Sequence, residues 1–222
     1  MAEQLALDFP CQTAFGAEDY FVSDANKLAA GLVEDWENWP EKRLLLLGPS
    51  GAGKTHLARV WAAQAGATFM DVSELDNVED IRVNAPCVLE NLETLPRAYE
   101  QNLFHLLNLY AQSDQYILLT GRGTIGSWGI NLPDLQSRLQ QIVQAEVEAP
   151  DDTLLLAVLM KLFQDRQLNL PPNALNYIST RMPRSFEAVK MLVTRMDKQS
   201  LATGGAVNMK LAREVIAELS QS

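Results

Sequence analysis

The ten residues "GPSGAGKTHL", from Gly48 to Leu57, decide the fold that we expect for the rest of the chain. They follow the apolar run "RLLLL" (43–47) and continue into "ARVWAAQ", a segment of good helix formers. A glycine-rich turn between a strand and a helix presents backbone N–H groups at the helix N-terminus, where they can bind phosphate. The sequence therefore predicts a phosphate-binding loop within an α/β domain.

The side chains of this loop fit the pattern Gly-x-x-x-x-Gly-Lys-Thr, which assigns them separate roles. Lys54 is expected to reach the terminal phosphates of a nucleotide, and the Thr55 hydroxyl is expected to bind Mg²⁺. The predicted cofactor is accordingly ADP or ATP with Mg²⁺. The predicted cofactor-binding residues of the loop are Gly48, Pro49, Ser50, Gly51, Ala52, Gly53, Lys54, Thr55 and His56.

Short apolar runs alternate with segments of helical period up to about residue 150, which is typical of an α/β domain with a mostly parallel sheet. From Asp151 onward only helical segments follow, so we expect a small all-α domain there. A first helix is predicted over residues 24–39, ended by Pro40. Strands are predicted at 44–47, 67–72, 85–92 and 115–121, with a last one within 141–150. The expected domains are a tail (1–15), a nucleotide-binding α/β domain (16–150) and a helical domain (151–222).

Charge and composition argue against several classes of protein, namely those that bind DNA strongly, span a membrane or are secreted. The formal net charge of −10 argues against strong direct binding to DNA, which depends on clustered Lys and Arg. No apolar run approaches the roughly 20 residues that cross a bilayer, and the N-terminus carries Glu3 and Asp8 where a signal peptide would be basic and apolar. We therefore expect a cytoplasmic protein whose partners are other proteins.

An acidic site is expected at the end of a second strand, in "CVLENLE" (87–93). Glu90 is the candidate for a catalytic and Mg²⁺-binding carboxylate. The next residue is Asn91, and an amide cannot accept a proton as a carboxylate does, although Glu93 could reach into the site. We expect nucleotide to be bound but hydrolysed slowly by the chain alone. The alternative for this segment is a buried strand that ends in a polar loop.

Two arginines are candidates for contact with a transferring phosphoryl group. Arg138 lies in "NLPDLQSRL", on a helix expected to start near Pro133, and Arg184 lies in "MPRSFEAVKML", at the start of a helix in the second domain. Either guanidinium can neutralise developing negative charge. A solvated or salt-bridged surface arginine is the alternative in each case, and spacing alone does not decide between them.

The order of these motifs resembles the AAA+ family, and within it the nucleotide-binding core of the replication initiator DnaA, over about residues 16–220. The resemblance implies an AAA+ parallel sheet with flanking helices and a small helical lid. It also implies that Arg138 is an arginine finger for nucleotide on a neighbouring subunit, that Arg184 is the lid sensor, and that Thr120 in "LLTG" is a further polar sensor. The family's acidic pair is Asp-Asp, whereas this chain has Glu90 and Asn91.

The N-terminal stretch "QLALDF" is similar to the peptide with which replication proteins dock on the bacterial sliding clamp. A glutamine amide can fix one end of such an extended peptide while Leu and Phe side chains enter an apolar groove. The predicted partner-binding residues are Gln4, Leu5, Leu7 and Phe9. The alternative is a tail whose apolar side chains fold back on the domain.

Together these features resemble the Hda-like regulators, a DnaA-related group of AAA+ proteins that inhibit replication initiation. This resemblance implies two partners, DnaA and the β sliding clamp of DNA polymerase III, and stimulated hydrolysis of the ATP bound to DnaA. Two alternatives stay open: a self-sufficient ATPase of the helicase or clamp-loader type, and a DnaA-like binding adaptor. The sequence also leaves self-association open.

Overall fold

The computed structural model describes residues 21–80, 83–203 and 207–219. The predicted clamp-docking residues Gln4, Leu5, Leu7 and Phe9, and the predicted start of the α/β domain at residue 16, lie outside the described residues.

A five-stranded parallel sheet forms the centre of the first part of the chain, as predicted. The strand order is β2-β3-β4-β1-β5, so β4 lies between β1 and β3. Because the carboxyl ends of parallel strands meet at one edge of a sheet, the residues that follow the strands gather there. The strands are β1 (Arg43–Leu47), β2 (Thr68–Asp71), β3 (Cys87–Glu90), β4 (Ile117–Gly121) and β5 (Val143–Glu146).

The earlier helices cover both faces of this sheet, and the later helices form a separate layer. One face packs against α1 and α2, and the other against α3 and α4. The later helices bury apolar side chains against one another, which gives the small all-α lid that was predicted. The helices are α1 (Lys27–Glu34), α2 (Lys54–Ala65), α3 (Glu100–Gln112), α4 (Pro133–Gln141), α5 (Asp152–Asp165), α6 (Pro172–Ser179), α7 (Phe186–Thr203) and α8 (Met209–Leu219).

The first helix is shorter than the sequence pattern predicts. Helix α1 ends at Glu34, and residues Trp36–Asn38 form a 3-10 turn before Pro40 is reached. The Trp39 indole N–H donates to the Leu32 carbonyl oxygen at 2.6 Å, and its ring stacks on Trp61 with centroids 5.1 Å apart. The chain therefore leaves the helix early because its aromatic residues turn inward to fill the core. None of the described helices combines the length and the apolar character needed to cross a membrane.

Candidate nucleotide-binding site

The predicted phosphate loop joins the end of β1 to the first residue of α2, Lys54. The Lys54 ammonium donates to the carbonyl oxygens of Gly48 at 2.7 Å and Pro49 at 2.9 Å, so it lies over its own loop. Burial lowers the pKa of Lys54, and Arg122 lowers it further, whereas Glu93 and then Glu90 raise it. The loop thus holds a partly desolvated cation that can exchange carbonyl oxygens for phosphate oxygens.

The lid contacts this loop directly. A Cβ atom added at Gly51 would lie 2.8 Å from the Ser185 Cβ, and one added at Gly53 would lie 2.9 Å from the Phe186 Cε2. The Phe186 amide also donates to the Gly51 carbonyl oxygen at 3.4 Å. Glycine is required at position 53 for a second reason, because its φ of 101° lies in the left-handed region. The loop and the segment that starts α7 therefore form one surface.

The two predicted Mg²⁺-binding side chains meet at the carboxyl edge of the sheet. The Thr55 hydroxyl, on the first turn of α2, donates to the Glu90 Oε1, at the end of β3, at 2.6 Å. Hydroxyl and carboxylate oxygens are ligands that Mg²⁺ accepts, usually together with water and phosphate oxygens. Thr55 and Glu90 are therefore the residues that would hold Mg²⁺ here, where it would neutralise phosphate charge.

The amide that follows Glu90 is directed towards the outer strand. Asn91 adopts a left-handed backbone conformation, with φ 64° and ψ 39°. Its Nδ2 donates to the Asp71 Oδ2 at 2.6 Å, and the Asp71 Oδ1 accepts from the backbone N–H and hydroxyl of Ser73 at 2.9 and 2.7 Å. Although burial alone raises it, the pKa of Asp71 is lowered overall by the hydrogen bonds from Ser73 and Asn91. Asp71 was missed in the sequence, where it lies next to the last residue of the strand predicted at 67–72.

Glu93, the other carboxylate considered for this site, is bonded to Arg122. The Arg122 Nε lies 3.1 Å from the Glu93 Oε1, and the Arg122 amide donates to the Glu93 Oε2 at 3.0 Å. Arg122 directly follows β4, so this ion pair joins the ends of β3 and β4. Glu93 also lies close enough to the phosphate loop to raise the pKa of Lys54, so it reaches towards the site while both of its oxygens are bonded to Arg122.

The other predicted cofactor-binding residues lie in different environments. Thr120 is buried in β4, opposite Leu46 in the register with β1. His56 is exposed on the first turn of α2. Arg184 lies just before α7, and its Nη2 pairs with the Asp152 Oδ2 at 2.9 Å on the lid surface. Arg184 would have to leave Asp152 to contact a phosphate.

A turn at residues 21–26 is bonded to the segment that follows β5, and the sequence reasoning did not identify it. The buried Asn26 shapes this turn by donating to the Phe21 carbonyl oxygen at 2.9 Å and accepting from the Ser23 amide at 2.8 Å. The Glu148 amide donates to the Ala25 carbonyl oxygen at 2.9 Å, which ties the turn to the segment that follows β5. The polar stretch "SDAN" before α1 was the available signal.

Helix α4, which carries Arg138, is fixed at both ends by side chains of α3. The buried Glu100 carboxylate accepts from the amides of Asn131 and Leu132, the latter at 2.7 Å, and so holds the start of the helix. In the last turn of α4 the Arg138 Nη1 donates to the Asn108 Oδ1. The position of the Arg138 guanidinium is therefore set by packing within the chain.

Arg138 lies at the edge of the sheet opposite to the phosphate loop. It lines a cavity of about 620 Å³ together with Arg43, the first residue of β1. Burial lowers the pKa of Arg43, and the charge of Arg138 lowers it further. The cavity's other cations are paired with carboxylates, Arg43 with Glu41 and Lys42 with Asp114. Within the described residues Arg138 forms no ion pair, so its charge remains available to an external anion.

Comparisons with known proteins agree with this architecture. The ATPase family associated with various cellular activities (AAA) matches residues 44–119. The chromosomal replication initiator protein DnaA of Campylobacter jejuni is 18% identical over 231 residues, which cover 92% of this chain and 52% of that protein. The chain thus spans about half the length of the curated relatives that it matches.

Solved structures of DnaA have the same fold. Domain III of Thermotoga maritima DnaA superposes with a TM-score of 0.80 and 18% identity, covering 95% of this chain and 99% of that one. A DnaA bound to AMPPCP and single-stranded DNA gives a TM-score of 0.70 and 16% identity, covering 88% of this chain and 70% of that one. The chain therefore has an AAA+ fold, and this fold is similar to that of domain III of the replication initiator DnaA.

Proposed function

We propose that this chain is an Hda-type negative regulator of replication initiation. It binds ADP or ATP with Mg²⁺ in the loop at 48–56, docks on the sliding clamp through its N-terminal tail, and packs against DnaA that carries ATP. Arg138 then enters the nucleotide site of DnaA and stimulates hydrolysis there.

The observation that carries this proposal is the distance between Arg138 and the chain's own phosphate loop. Arg138 lies beside Arg43 at the start of β1, whereas the loop follows Leu47 at its end. A strand advances about 3.3 Å per residue, so the two sites are separated by roughly 15 Å. Arg138 is too far away to act on nucleotide bound in its own chain, and the phosphate that it can reach is one presented by another subunit.

The charge of Arg138 suits such a role. Its hydrogen-bond acceptor is the neutral amide of Asn108, which positions the guanidinium without cancelling its charge. An arginine delivered to a preassembled phosphate site accelerates phosphoryl transfer by about 10³ to 10⁵ in other systems, because it neutralises charge that develops in the transition state. One side chain is therefore sufficient to switch DnaA to its ADP form.

In this proposal the nucleotide bound by this chain stabilises its own domain. Lys54, Thr55 and Glu90 would hold its phosphates and Mg²⁺, and the lid would cover the loop through Ser185 and Phe186. Arg184 would exchange Asp152 for a phosphate oxygen, and Thr120 would support the strand end. Hydrolysis in this site is slow because the residue that follows Glu90 is an amide.

Clamp docking rests on the tail motif of Gln4, Leu5, Leu7 and Phe9. The tail would place the chain near newly replicated DNA without a basic surface of its own, in agreement with the net charge of −10.

The proposal is tested by reconstitution with DnaA, the sliding clamp loaded on DNA, and this chain. DnaA is first loaded with labelled ATP, and the formation of labelled ADP is followed. We expect acceleration that requires both the clamp and this chain, and that falls towards the basal rate with Gln4→Ala or Phe9→Ala. Equal acceleration without the clamp would contradict the docking role. Rapid turnover by this chain without DnaA would instead support the motor alternative.

A further inference from the structure

We propose that Arg43 is a positioning residue for Arg138. It holds the Glu41 carboxylate as its own partner, and so it keeps that carboxylate from pairing with the Arg138 guanidinium. This inference rests on the proposed role of Arg138 towards a partner's nucleotide, and one of its two tests is independent of any partner.

Arg43 and Arg138 are bonded to adjacent residues of helix α3. The Arg43 Nη2 donates to the Leu107 carbonyl oxygen at 3.3 Å, and the Arg138 Nη1 donates to the side chain of the next residue, Asn108. Both arginines also line the cavity of about 620 Å³. The Arg43 side chain is only 3% exposed, whereas Arg138 is half-buried. Two like charges therefore lie close together, and one of them is almost wholly removed from water.

Burial determines which of the two cations takes the Glu41 carboxylate. A buried charge without a partner costs far more free energy than a charge that water can reach. The Arg43 Nη1 lies 3.2 Å from the Glu41 Oε2, while its Nε has no hydrogen-bond partner among the described residues. Arg43 therefore depends on Glu41 for a counter-charge, and Arg138 can do without one at a smaller cost.

The turn before β1 has a backbone conformation that accompanies this ion pair. Glu41 and Lys42 are consecutive non-glycine residues with left-handed backbones, at φ values of 51° and 58°. This conformation is uncommon and costly for residues with a Cβ. The Glu41 carboxylate returns onto Arg43, and the Lys42 ammonium lies 2.5 Å from the Asp114 Oδ2. The turn thus engages two of the cavity's carboxylates with cations other than Arg138.

Removing the charge of Arg43 would leave Glu41 without its counter-ion. The Glu41 side chain is 71% exposed, so it can turn within the cavity that Arg138 also lines. An ion pair between these two side chains would neutralise the guanidinium that the proposed function directs at phosphate. Glu37 lines the same cavity from the 3-10 turn, and among the described residues no ion pair joins it to Arg138, so it provides a matched control.

The first test measures stimulated hydrolysis of DnaA-bound ATP, with the clamp on DNA and the full chain. Arg43→Met replaces the guanidinium by an uncharged side chain, and we expect it to lower the stimulated rate at least about fivefold, the factor that corresponds to one partly exposed ion pair. Adding Glu41→Gln should restore the rate, because the amide carries no charge to neutralise Arg138. Adding Glu37→Gln should not restore it.

Glu41→Gln alone separates positioning from stability. It removes the same ion pair as Arg43→Met, but it leaves no carboxylate there to compete for Arg138, so the stimulated rate should stay close to that of the wild type. An Arg43→Met variant as active as the wild type would overturn the inference. So would a lack of restoration by Glu41→Gln, equal restoration by Glu37→Gln, or a Glu41→Gln variant as slow as Arg43→Met.

The second test measures the ion pairing itself, without DnaA or clamp. Unfolding in urea is followed for Glu41→Gln, Arg138→Gln and the double variant, each in the wild-type chain and in Arg43→Met. We expect the shifts of the urea midpoint to add in the wild-type chain but not in Arg43→Met, where the two side chains pair. The non-additive part should shrink at high salt. Additive shifts in both backgrounds would overturn the inference.

The two tests distinguish failure of this inference from failure of the proposed function. Non-additive shifts in Arg43→Met, together with a wild type that does not stimulate DnaA, would overturn the role of Arg138 towards a partner and support the pairing of Glu41. Normal stimulation by the wild type with additive shifts would overturn only the role of Arg43.

Discussion

Arg138 and Lys54 lie at opposite ends of strand β1. Arg138 shares a cavity with Arg43, the first residue of the strand, and Lys54 starts the helix that follows the strand and its phosphate loop. Both cations are directed at phosphate in the proposed function, but they cannot bind the same nucleotide. In the proposed function this separation gives the molecule one face that binds nucleotide and another that acts on nucleotide held by a partner.

Lys54→Ala should weaken nucleotide binding strongly. The ammonium makes two hydrogen bonds to loop carbonyls that phosphate oxygens would replace, and hydrogen bonds to a charged group contribute about 1.5–3 kcal/mol each. We expect the Kd for ATP, measured with a fluorescent analogue, to rise at least about tenfold. Lys42→Ala, at the other end of β1, is the control and should bind as the wild type does.

Glu90→Gln should reduce the dependence of nucleotide affinity on Mg²⁺. The amide oxygen can still accept the hydrogen bond from Thr55, but the negative charge that attracts the ion is lost. The measurement is the ratio of ATP affinities with and without Mg²⁺, compared with that of Glu34→Gln on the exposed side of α1. An unchanged ratio in Glu90→Gln would show that this carboxylate does not bind the metal.

Gly53→Ala and Gly31→Ala should change stability in opposite directions. The first adds a Cβ 2.9 Å from the Phe186 ring at a φ of 101°, so we expect the free energy of unfolding in urea to fall by about 1–3 kcal/mol. The second adds a Cβ with nothing within 4 Å, inside helix α1, and should raise this free energy by up to about 1 kcal/mol. Equal effects would contradict the close contact between lid and loop.

The stability contributed by Asp71 should depend on pH. Hydrogen bonds lower its pKa in the folded state, so its contribution is present above the unfolded pKa of about 3.9 and is lost as pH falls through the folded value. Asp71→Asn removes this titration. The difference in free energy of unfolding between the wild type and this variant should be constant above about pH 5 and should shrink below about pH 4. A difference that grows in acid would show that the hydrogen bonds do not favour the ionised form.

Much of the fold was predictable because the phosphate-loop sequence determines which secondary-structure elements lie on either side of it. "GPSGAGKTHL" requires a strand before it and a helix after it, and the other short apolar runs then had to be neighbouring strands. The pairing of Thr55 with Glu90 followed from the parallel sheet, since both lie at the carboxyl edge.

Contacts across strands and helices were not predictable from the sequence. The bond between Asn91 and Asp71 depends on the register of β2 with β3, and the ion pair of Glu93 with Arg122 depends on the order of β3 and β4. No local pattern encodes either of these.

The end of α1 was misjudged for a related reason. Trp36 and Trp39 continue the apolar period of a helix, but their large rings pack around Trp61 only if the chain leaves the helix at Glu34.

The most direct test of the central claim is the rate at which DnaA-bound ATP is converted to ADP when Arg138 is replaced. Labelled ATP is bound to DnaA, clamp on DNA is added, and this chain is supplied at saturating concentration as the wild type, Arg138→Ala or the control Arg181→Ala, an exposed arginine that stacks on Tyr177 in the lid. We predict that Arg138→Ala lowers the stimulated rate at least about 100-fold while Arg181→Ala and the wild type remain equal. Stimulation by Arg138→Ala equal to that by the wild type would contradict the proposal that this guanidinium acts on the nucleotide of a partner.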